Sequence, residues 1–243
     1  MSTAVAPPAP MLAAPATPRL AVTVNLLRPG QRVLFTVISW DEYEALLEWR
    51  DEHRRGGRLT YDRGELEIMV VGGTHERLKK ILAMLIEVWL DETGGACVPG
   101  GNTTHARADV EQGLEPDECY YIQNWAAVAG VRDIDLAKDP PPDLAVEIEV
   151  SRTVLSRLPT FAAFKIPEVW RYDGVRLTVL LLQPDGTYTE SPTSSAFPAL
   201  PIGELVRFLA LAANVSTDYI SVCRQFRAWV RSLPAAPPAA PPA

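Results

Sequence analysis

The feature that most constrains the fold is a segment in which three prolines precede a strictly alternating run of polar and apolar residues. The prolines occupy positions 140–142, and the run that follows, residues 143–151, reads DLAVEIEVS. Because side chains alternate along a β-strand, one face is aliphatic and the other carries Asp143, Glu147 and Glu149. An acidic face of this kind either meets solvent at a sheet edge or binds a cation, and the strand alone favours solvent.

The composition indicates one globular domain with two tails. The chain has 243 residues, 47% of them hydrophobic, which suits a single domain of about 200 residues. We expect this domain to span residues 23–232. Residues 1–22 and 233–243 are rich in Ala and Pro, and we expect both segments to be disordered. The net charge of −7 argues against a protein that coats nucleic acid, but not against an enzyme that contacts DNA through a local patch.

The cysteines and the N-terminal segment bear on the compartment. Three cysteines without CxxC spacing predict neither a disulfide framework nor a zinc site, which fits a reducing cytoplasm. The first 18 residues contain no Lys or Arg and several prolines, so we expect no signal peptide. No run of about 18 apolar residues occurs, and we expect no membrane span.

Local signals place the first elements. Ser39 followed by Glu42 forms a capping-box pattern, which predicts a helix starting at the next residue after Ser39. Turn residues at 62–64 lie between two alternating runs and predict a β-hairpin. Thr74 is predicted to cap a helix at about residues 75–90, where apolar residues recur at helical spacing.

The elements predicted for the rest of the sequence indicate the fold class. It predicts strands near residues 96–98, 103–108 and 116–122, a loop at 131–139, a helix at about 153–164, a second hairpin around 173–174, and terminal helices at 201–212 and 217–231. This order favours an α/β or α+β fold, in which helices flank a central mixed, mostly antiparallel sheet. The N-terminal hairpin and the C-terminal helices are added to that core.

The candidate functional residues of the chain are carboxylates. No G-x-G-x-x-G, G-x-x-x-x-G-K-[ST] or G-x-S-x-G motif is present, and the three histidines are too scattered to suggest a metal site. Mg²⁺ prefers oxygen ligands and is commonly held by one or two carboxylates with water and phosphate. Glu76 and Asp117 are candidates beside the acidic strand, although Glu76 also suits a helix N-terminus and Asp117 a strand start. Asp143 is better explained as a turn residue.

An ordered set of segments resembles a known family. The segments are PDE at 116–118, PDLAVEIEVSR at 142–152 and IPEVWRYDG at 166–174, preceded by GELEIM at 64–69 and HERL at 75–78. Together, over roughly residues 33–231, they resemble the Uma-two family of restriction endonuclease-like proteins, in the PD-(D/E)XK nuclease superfamily. The resemblance implies a central mixed sheet flanked by helices, with acidic residues around a divalent cation, Mg²⁺ or alternatively Mn²⁺.

The resemblance also assigns residues to roles. Asp117 matches the aspartate of the family's "PD" strand and Glu147 the acid of the next strand, so these two are the implied metal ligands. Glu76 matches the acid of the first core helix, which would order a metal-bound water. Glu149 stands where the superfamily has a lysine, and it is implied as an auxiliary acid.

Arg157 matches the position to which this family often displaces that lysine. Arginine does not lose its proton in proteins, so Arg157 can stabilise a phosphate but cannot act as the general base. Activation of water would then depend on the metal. The alternative for Arg157 is a surface arginine paired with a carboxylate. Lys165 stands where many relatives have glycine, and it could face a DNA phosphate.

The sequence therefore predicts a metal-dependent nuclease that hydrolyses phosphodiester bonds in DNA. Two alternatives remain open. One is a catalytically inactive nuclease fold with a DNA-binding or regulatory role. The other is an interaction module that forms a homodimer through the hairpin and the terminal helices.

Overall fold

The structure is a computed structural model that describes residues 27–53, 56–150 and 155–234. The predicted N-terminal tail, residues 1–22, lies outside these ranges, as do residues 235–243 of the predicted C-terminal tail. Within the described ranges, eleven strands and six helices form two β-sheets with helices around them.

Single strands or runs of strands are separated by helices along the chain, and two helices end its described part. The strands are β1 (Arg32–Phe35), β2 (Arg58–Asp62), β3 (Glu65–Met69), β4 (Val98–Pro99), β5 (His105–Arg107), β6 (Gln112–Leu114), β7 (Glu118–Tyr121), β8 (Leu144–Ile148), β9 (Glu168–Tyr172), β10 (Leu177–Leu182) and β11 (Tyr188–Ser191). The helices are α1 (Trp40–Glu52), α2 (Gly73–Thr93), α3 (Trp125–Val128), α4 (Leu158–Ala163), α5 (Ile202–Ala213) and α6 (Tyr219–Ser232).

The six-stranded sheet is the predicted central mixed sheet. Its strand order is β11-β10-β9-β8-β7-β4, and the pairs are antiparallel except β8 with β9, which is parallel. The predicted N-terminal hairpin, β2–β3, is confirmed, but it belongs to a second sheet that was not expected. That sheet is antiparallel throughout, in the order β1-β3-β2-β6-β5.

Strand β8 lies in the interior of the six-stranded sheet and has two different buried faces. Leu144, Val146 and Ile148 pack in the core formed with α2, α5 and α6. Ala145 points to the opposite face, into a separate cluster that contains Phe161. The predicted alternation is therefore confirmed, whereas a solvated sheet edge is wrong, because β7 and β9 flank β8 and Glu147 is only 4% exposed.

The first two helices begin at different kinds of cap. The predicted capping box is present, since Glu42 N donates to Ser39 Oγ at 3.2 Å and Ser39 N donates to Glu42 Oε2 at 2.9 Å. The predicted Thr74 cap is wrong. Helix α2 begins earlier, with Gly72 as N-cap, because the Gly72 carbonyl already accepts a bond from Glu76 N at 3.1 Å.

Helix α4 is shorter than predicted. The expected helix covered about residues 153–164, of which 153 and 154 lie outside the described residues. The helix begins at Leu158, with Arg157 as N-cap and Pro159 in its first turn. Proline has no N–H and fits the first turn of a helix, where that group has no partner. Arg157 therefore precedes the helix and is not part of one of its faces.

Strand β6 was not predicted, and its glycine shows why. A Cβ on Gly113 would overlap the ring and hydroxyl of Tyr43, which packs directly against the strand. Glycine in a strand marks such a close approach. Three residues with a central glycine carry too little alternation to indicate a strand.

None of the helices in the described part of the chain is long and apolar enough to cross a membrane.

Lys165 ends helix α4 in a left-handed conformation, with φ of 58°. Lys165 N donates to Ala162 O at 2.9 Å and Ile166 N donates to Phe161 O at 3.1 Å, so the two bonds close the helix C-terminus. Glycine is the usual residue at this position because it lacks the Cβ that crowds the backbone there.

We expect Lys165→Gly to stabilise the protein. Relief of the left-handed strain exceeds the extra entropy of glycine in the unfolded chain, which leaves a gain of about 0.5–1 kcal/mol. Urea unfolding monitored by circular dichroism measures the change. The matched control is Lys80→Gly on the exposed side of α2, which should destabilise by about 1 kcal/mol. Destabilisation by both substitutions would contradict the prediction that the left-handed conformation of Lys165 is strained.

Candidate active site

Asp117 and Glu147 lie where the two sheets meet. Strand β2 provides the contacts from the antiparallel sheet. Arg58 and Thr60 project from the same face of β2 because they are two residues apart. Arg58 forms an ion pair with Asp117, just before β7, and Thr60 Oγ1 accepts a bond from Arg157 Nε at 3.0 Å. Side chains of the antiparallel sheet thus complete a site whose carboxylates come from the mixed sheet.

Asp117 and Glu147 are neighbours across the β7–β8 pair. Asp117 is fully buried; its N–H donates to Val146 O at 3.1 Å, and its Oδ2 accepts from Ile148 N at 2.5 Å. These bonds fasten Asp117 to the residues on both sides of Glu147. The expectation that the two acids lie on adjacent strands is met by this register.

Glu147 has one occupied and one free oxygen. Its Oε2 accepts a bond from Arg157 Nη1, while the buried Oε1 has no hydrogen-bond partner among the described residues. Burial raises the pKa of the Glu147 carboxyl, and the charges of Arg157 and Arg58 oppose the shift. A buried carboxylate oxygen without a hydrogen-bond partner is costly, which makes Oε1 a candidate ligand atom.

Arg157 connects three segments from inside the protein. Beside its bonds to Thr60 and Glu147, Nη2 donates to Glu115 O at 2.9 Å. The side chain is only 11% exposed. The alternative of a surface arginine is therefore wrong, although Arg157 does pair with a carboxylate.

Glu149 lies next to this site and pairs with Arg171 of β9. Arg171 Nε donates to Glu149 Oε1 at 2.8 Å, and Nη2 contacts the second oxygen. The parallel register places Arg171 beside Glu147. Where the superfamily has a lysine, this chain thus has a carboxylate bound by an arginine from the next strand.

Three of the predicted residues line a single cavity of about 140 Å³. Its lining combines charged and apolar side chains: Glu147, Glu149, Ser156, Arg157, Leu158, Phe161, Val169 and Arg171. The cavity therefore brings two carboxylates and two guanidinium groups together beside β8. Charged groups of both signs in a small concave site are suited to binding a phosphate together with a cation.

Glu76 does not join the other acids directly. It lies in the first turn of α2 with 48% of its side chain exposed, and His75 separates it from Asp117. His75 Nε2 is 3.1 Å from Asp117 Oδ2, and His75 Nδ1 is 3.5 Å from Glu76 Oε1. Burial, together with the charges of Arg58 and Lys79, lowers the pKa of His75 to about 3, so the imidazole is neutral.

Arg58, His75, Glu115 and Arg171 were not among the residues predicted from the sequence. Glu115 is buried and pairs with Arg50, and it also accepts from Thr104 Oγ1 at 2.7 Å. Arg58, Thr60 and Asp62 alternate with two apolar residues in β2, a pattern that could have identified a polar face. His75 was set aside with the other histidines, although its position beside Glu76 tied it to a candidate acid.

Two other acids have structural roles. Asp143 accepts from Ile122 N at 2.6 Å and Asn124 N at 3.0 Å, which confirms the predicted turn residue. Glu168 is fully buried and accepts from Trp170 Nε1 at 2.5 Å, from Ser195 N and Oγ at 2.7 and 2.6 Å, and from Ala196 N at 2.8 Å. Glu168 therefore holds the segment before α5 against β9 and does not reach the cavity.

The donor set suits a hard cation that needs few protein ligands. The described residues contain no group of three or more His, Cys, Asp or Glu side chains that could hold a metal ion. Mg²⁺ is commonly bound by one or two carboxylates, with water and substrate phosphate completing its shell. Asp117 and the free Oε1 of Glu147 are compatible with that requirement.

We expect Arg157→Ala to destabilise the protein by about 3–5 kcal/mol, because it leaves the Glu147 carboxylate buried without its counter-charge. Adding Glu147→Gln to that variant should restore a large part of the loss, since the amide is neutral. Urea denaturation of the single and double variants measures both effects.

The control for this prediction is Arg176→Ala, which removes an exposed ion pair with Glu190. Its cost should stay below about 1 kcal/mol. An Arg157→Ala variant no less stable than this control would show that the buried pair is not needed for folding.

Comparisons with known proteins place the chain in a family. No curated protein matches it. A solved structure, that of a putative nuclease belonging to DUF820 from Anabaena variabilis ATCC 29413, is similar at 16% sequence identity; the match covers 71% of this chain and 99% of that chain, with a TM-score of 0.48. A family model, Uma2, described as "Putative restriction endonuclease", matches residues 40–215. Since this match extends over more than half of the sequence, the chain belongs to the Uma2 family.

Proposed function

We propose that this protein is a metal-dependent nuclease that hydrolyses phosphodiester bonds in DNA. The observation that carries the proposal is the buried pair of Asp117 and Glu147 on adjoining strands, in which Glu147 Oε1 has no partner in the described chain. Membership of a family described as restriction endonuclease supports the reaction class. The choice of DNA over RNA rests on that description alone.

In this proposal Asp117 and Glu147 hold Mg²⁺, for which Mn²⁺ can substitute. The bound ion would neutralise charge on the scissile phosphate and lower the pKa of a water molecule. Asp117 is suited to its role because the bond from Ile148 N fixes its Oδ2, which leaves the orientation of Oδ1 defined. Glu147 offers Oε1, the oxygen that Arg157 does not bind.

The remaining residues position the phosphate and the water. Arg157 offsets negative charge on the phosphate, and as an arginine it does so without acting as a base. Glu149 is the auxiliary acid of the same cavity, where Arg171 orients it. Glu76 orders water at the outer edge of the site, where His75 lies between it and Asp117.

A second candidate is a catalytically inactive relative that binds DNA. The observation that favours it is that Asp117, Glu147 and Glu149 each form an ion pair with an arginine. Carboxylates neutralised in this way have less attraction for a cation. Such a protein would retain the fold and bind nucleic acid equally well with and without a chelator.

We expect Asp117→Asn and Glu147→Gln each to reduce metal-dependent cleavage by at least about 10²-fold, because each removes a charged ligand of the cation. Cleavage is measured with single-stranded DNA, double-stranded DNA and RNA, in Mg²⁺, in Mn²⁺ and in EDTA. Circular dichroism verifies folding.

Glu190→Gln is the matched control, since it removes an exposed carboxylate remote from the cavity. Its activity should equal that of the wild type. Undiminished cleavage by both Asp117→Asn and Glu147→Gln would reject these residues as metal ligands. Absence of cleavage by the wild type under every condition would favour the inactive DNA-binding protein.

A further inference from the structure

The candidate site is electrically balanced by arginines. Asp117 pairs with Arg58, Glu147 with Arg157 and Glu115 with Arg50, and all three carboxylates are buried. Arginine stays protonated even when it is buried. A divalent cation that approached this arrangement would therefore meet carboxylates whose charge is already neutralised, unless one guanidinium moved away.

The three arginines differ in how firmly they are held. Arg157 has three anchors, on Thr60, Glu147 and the Glu115 carbonyl. Arg50 likewise bonds to several groups, including Gly57 O and Thr104 Oγ1, both at 3.3 Å. For Arg58 the described part of the chain provides one partner, Asp117.

Asp117 has one fixed and one exchangeable oxygen. Its Oδ2 accepts a bond from Ile148 N at 2.5 Å and lies 3.1 Å from His75 Nε2, whereas Oδ1 is the atom that Arg58 contacts. Departure of Arg58 would release Oδ1 without changing the orientation of the carboxylate. The released Oδ1 and the unpartnered Oε1 of Glu147 would then be the two oxygens available to a cation.

A second cavity gives Arg58 a place to move to. Arg58 itself lines this space of about 380 Å³, together with the carboxylates of Asp51, Glu76 and Glu115. Burial lowers the pKa of the Arg58 guanidinium, and the charge of Glu147, followed by those of Glu76 and Glu115, opposes this shift. Arg50 and Lys79 also line this cavity, and Asp51 and Glu115 already pair with Arg50. An arginine that left Asp117 would therefore find room there and Glu76 as its partner of opposite charge.

We propose that Arg58 is an internal counter-ion that competes with a divalent cation for Asp117. It neutralises the carboxylate while no cation is present, and it moves into the cavity beside Glu76 when Asp117 Oδ1 binds the metal. The proposal rests on the assignment of Asp117 as a metal ligand. It also gives Glu76 a second role, as the partner that receives the displaced guanidinium.

The test is the affinity of the protein for Mn²⁺ alone, measured from the free-ion signal in electron paramagnetic resonance. Arg58→Gln should bind Mn²⁺ at least about tenfold more tightly than the wild type, because removal of an adjacent positive charge strengthens the attraction for a cation. Arg58→Lys keeps the charge and should remain within about threefold of the wild type. Combining Arg58→Gln with Asp117→Asn should abolish the gain.

Arg50→Gln is the matched control, since it removes the same charge from the neighbouring buried pair with Glu115. It reports the general electrostatic effect and should change the Mn²⁺ affinity by less than about threefold. An equal gain in Arg50→Gln and Arg58→Gln would overturn the proposal, as would a gain that persists without Asp117.

A measurement on the wild type keeps the proposal testable if Arg58→Gln does not fold. Titration with diamagnetic Mg²⁺ should shift the ¹⁵N resonance of the Arg58 side chain, and an unchanged resonance at saturation would overturn the proposal. Cleavage assays separate this inference from the proposed function. Loss of cleavage in Asp117→Asn, with equal Mn²⁺ binding by Arg58→Gln and the wild type, would retain the nuclease and reject the counter-ion.

Discussion

The burial of carboxylates between the two sheets is the constraint on which the rest of the structure depends. An ionised carboxylate removed from water needs opposite charge and hydrogen bonds, or its burial opposes folding. Asp117 and Glu147 obtain both from distant segments: Arg58 on β2, the backbone of β8, and Arg157 ahead of α4. The ion pairs that satisfy the acids are therefore the same contacts that join the antiparallel sheet to the mixed sheet.

The elements that could be predicted are those whose signals lie within a few residues. The Ser39–Glu42 capping box, the hairpin at 62–64 and the alternation of β8 each depend on neighbouring positions, and each is present in the structure. The second sheet could not be predicted in this way. Its strand β6 is defined by pairing with β2 and by the ring of Tyr43 above Gly113, and both contacts are distant in sequence.

The same distinction separates the site residues that could be predicted from those that could not. Asp117 and Glu147 were identified through their strands and the family resemblance, and the structure makes them neighbours. Their partners follow from no local pattern: the bond between Arg157 and Thr60 spans 97 positions. The location of Arg157 ahead of α4 depends on Pro159, and the separation of Glu76 from Asp117 depends on a histidine whose importance is visible only in three dimensions.

The environment of Glu168 has a consequence for how loss of function in this family should be interpreted. The Glu168–Trp170 motif is among the most recognisable parts of the sequence. Its carboxylate, however, accepts hydrogen bonds from the Trp170 indole and from residues 195–196. A genetic screen that scores only survival or cleavage would place Glu168 among the catalytic acids. Measurement of the amount of folded protein in the cell would reveal the structural role of Glu168, since a change at this residue lowers abundance.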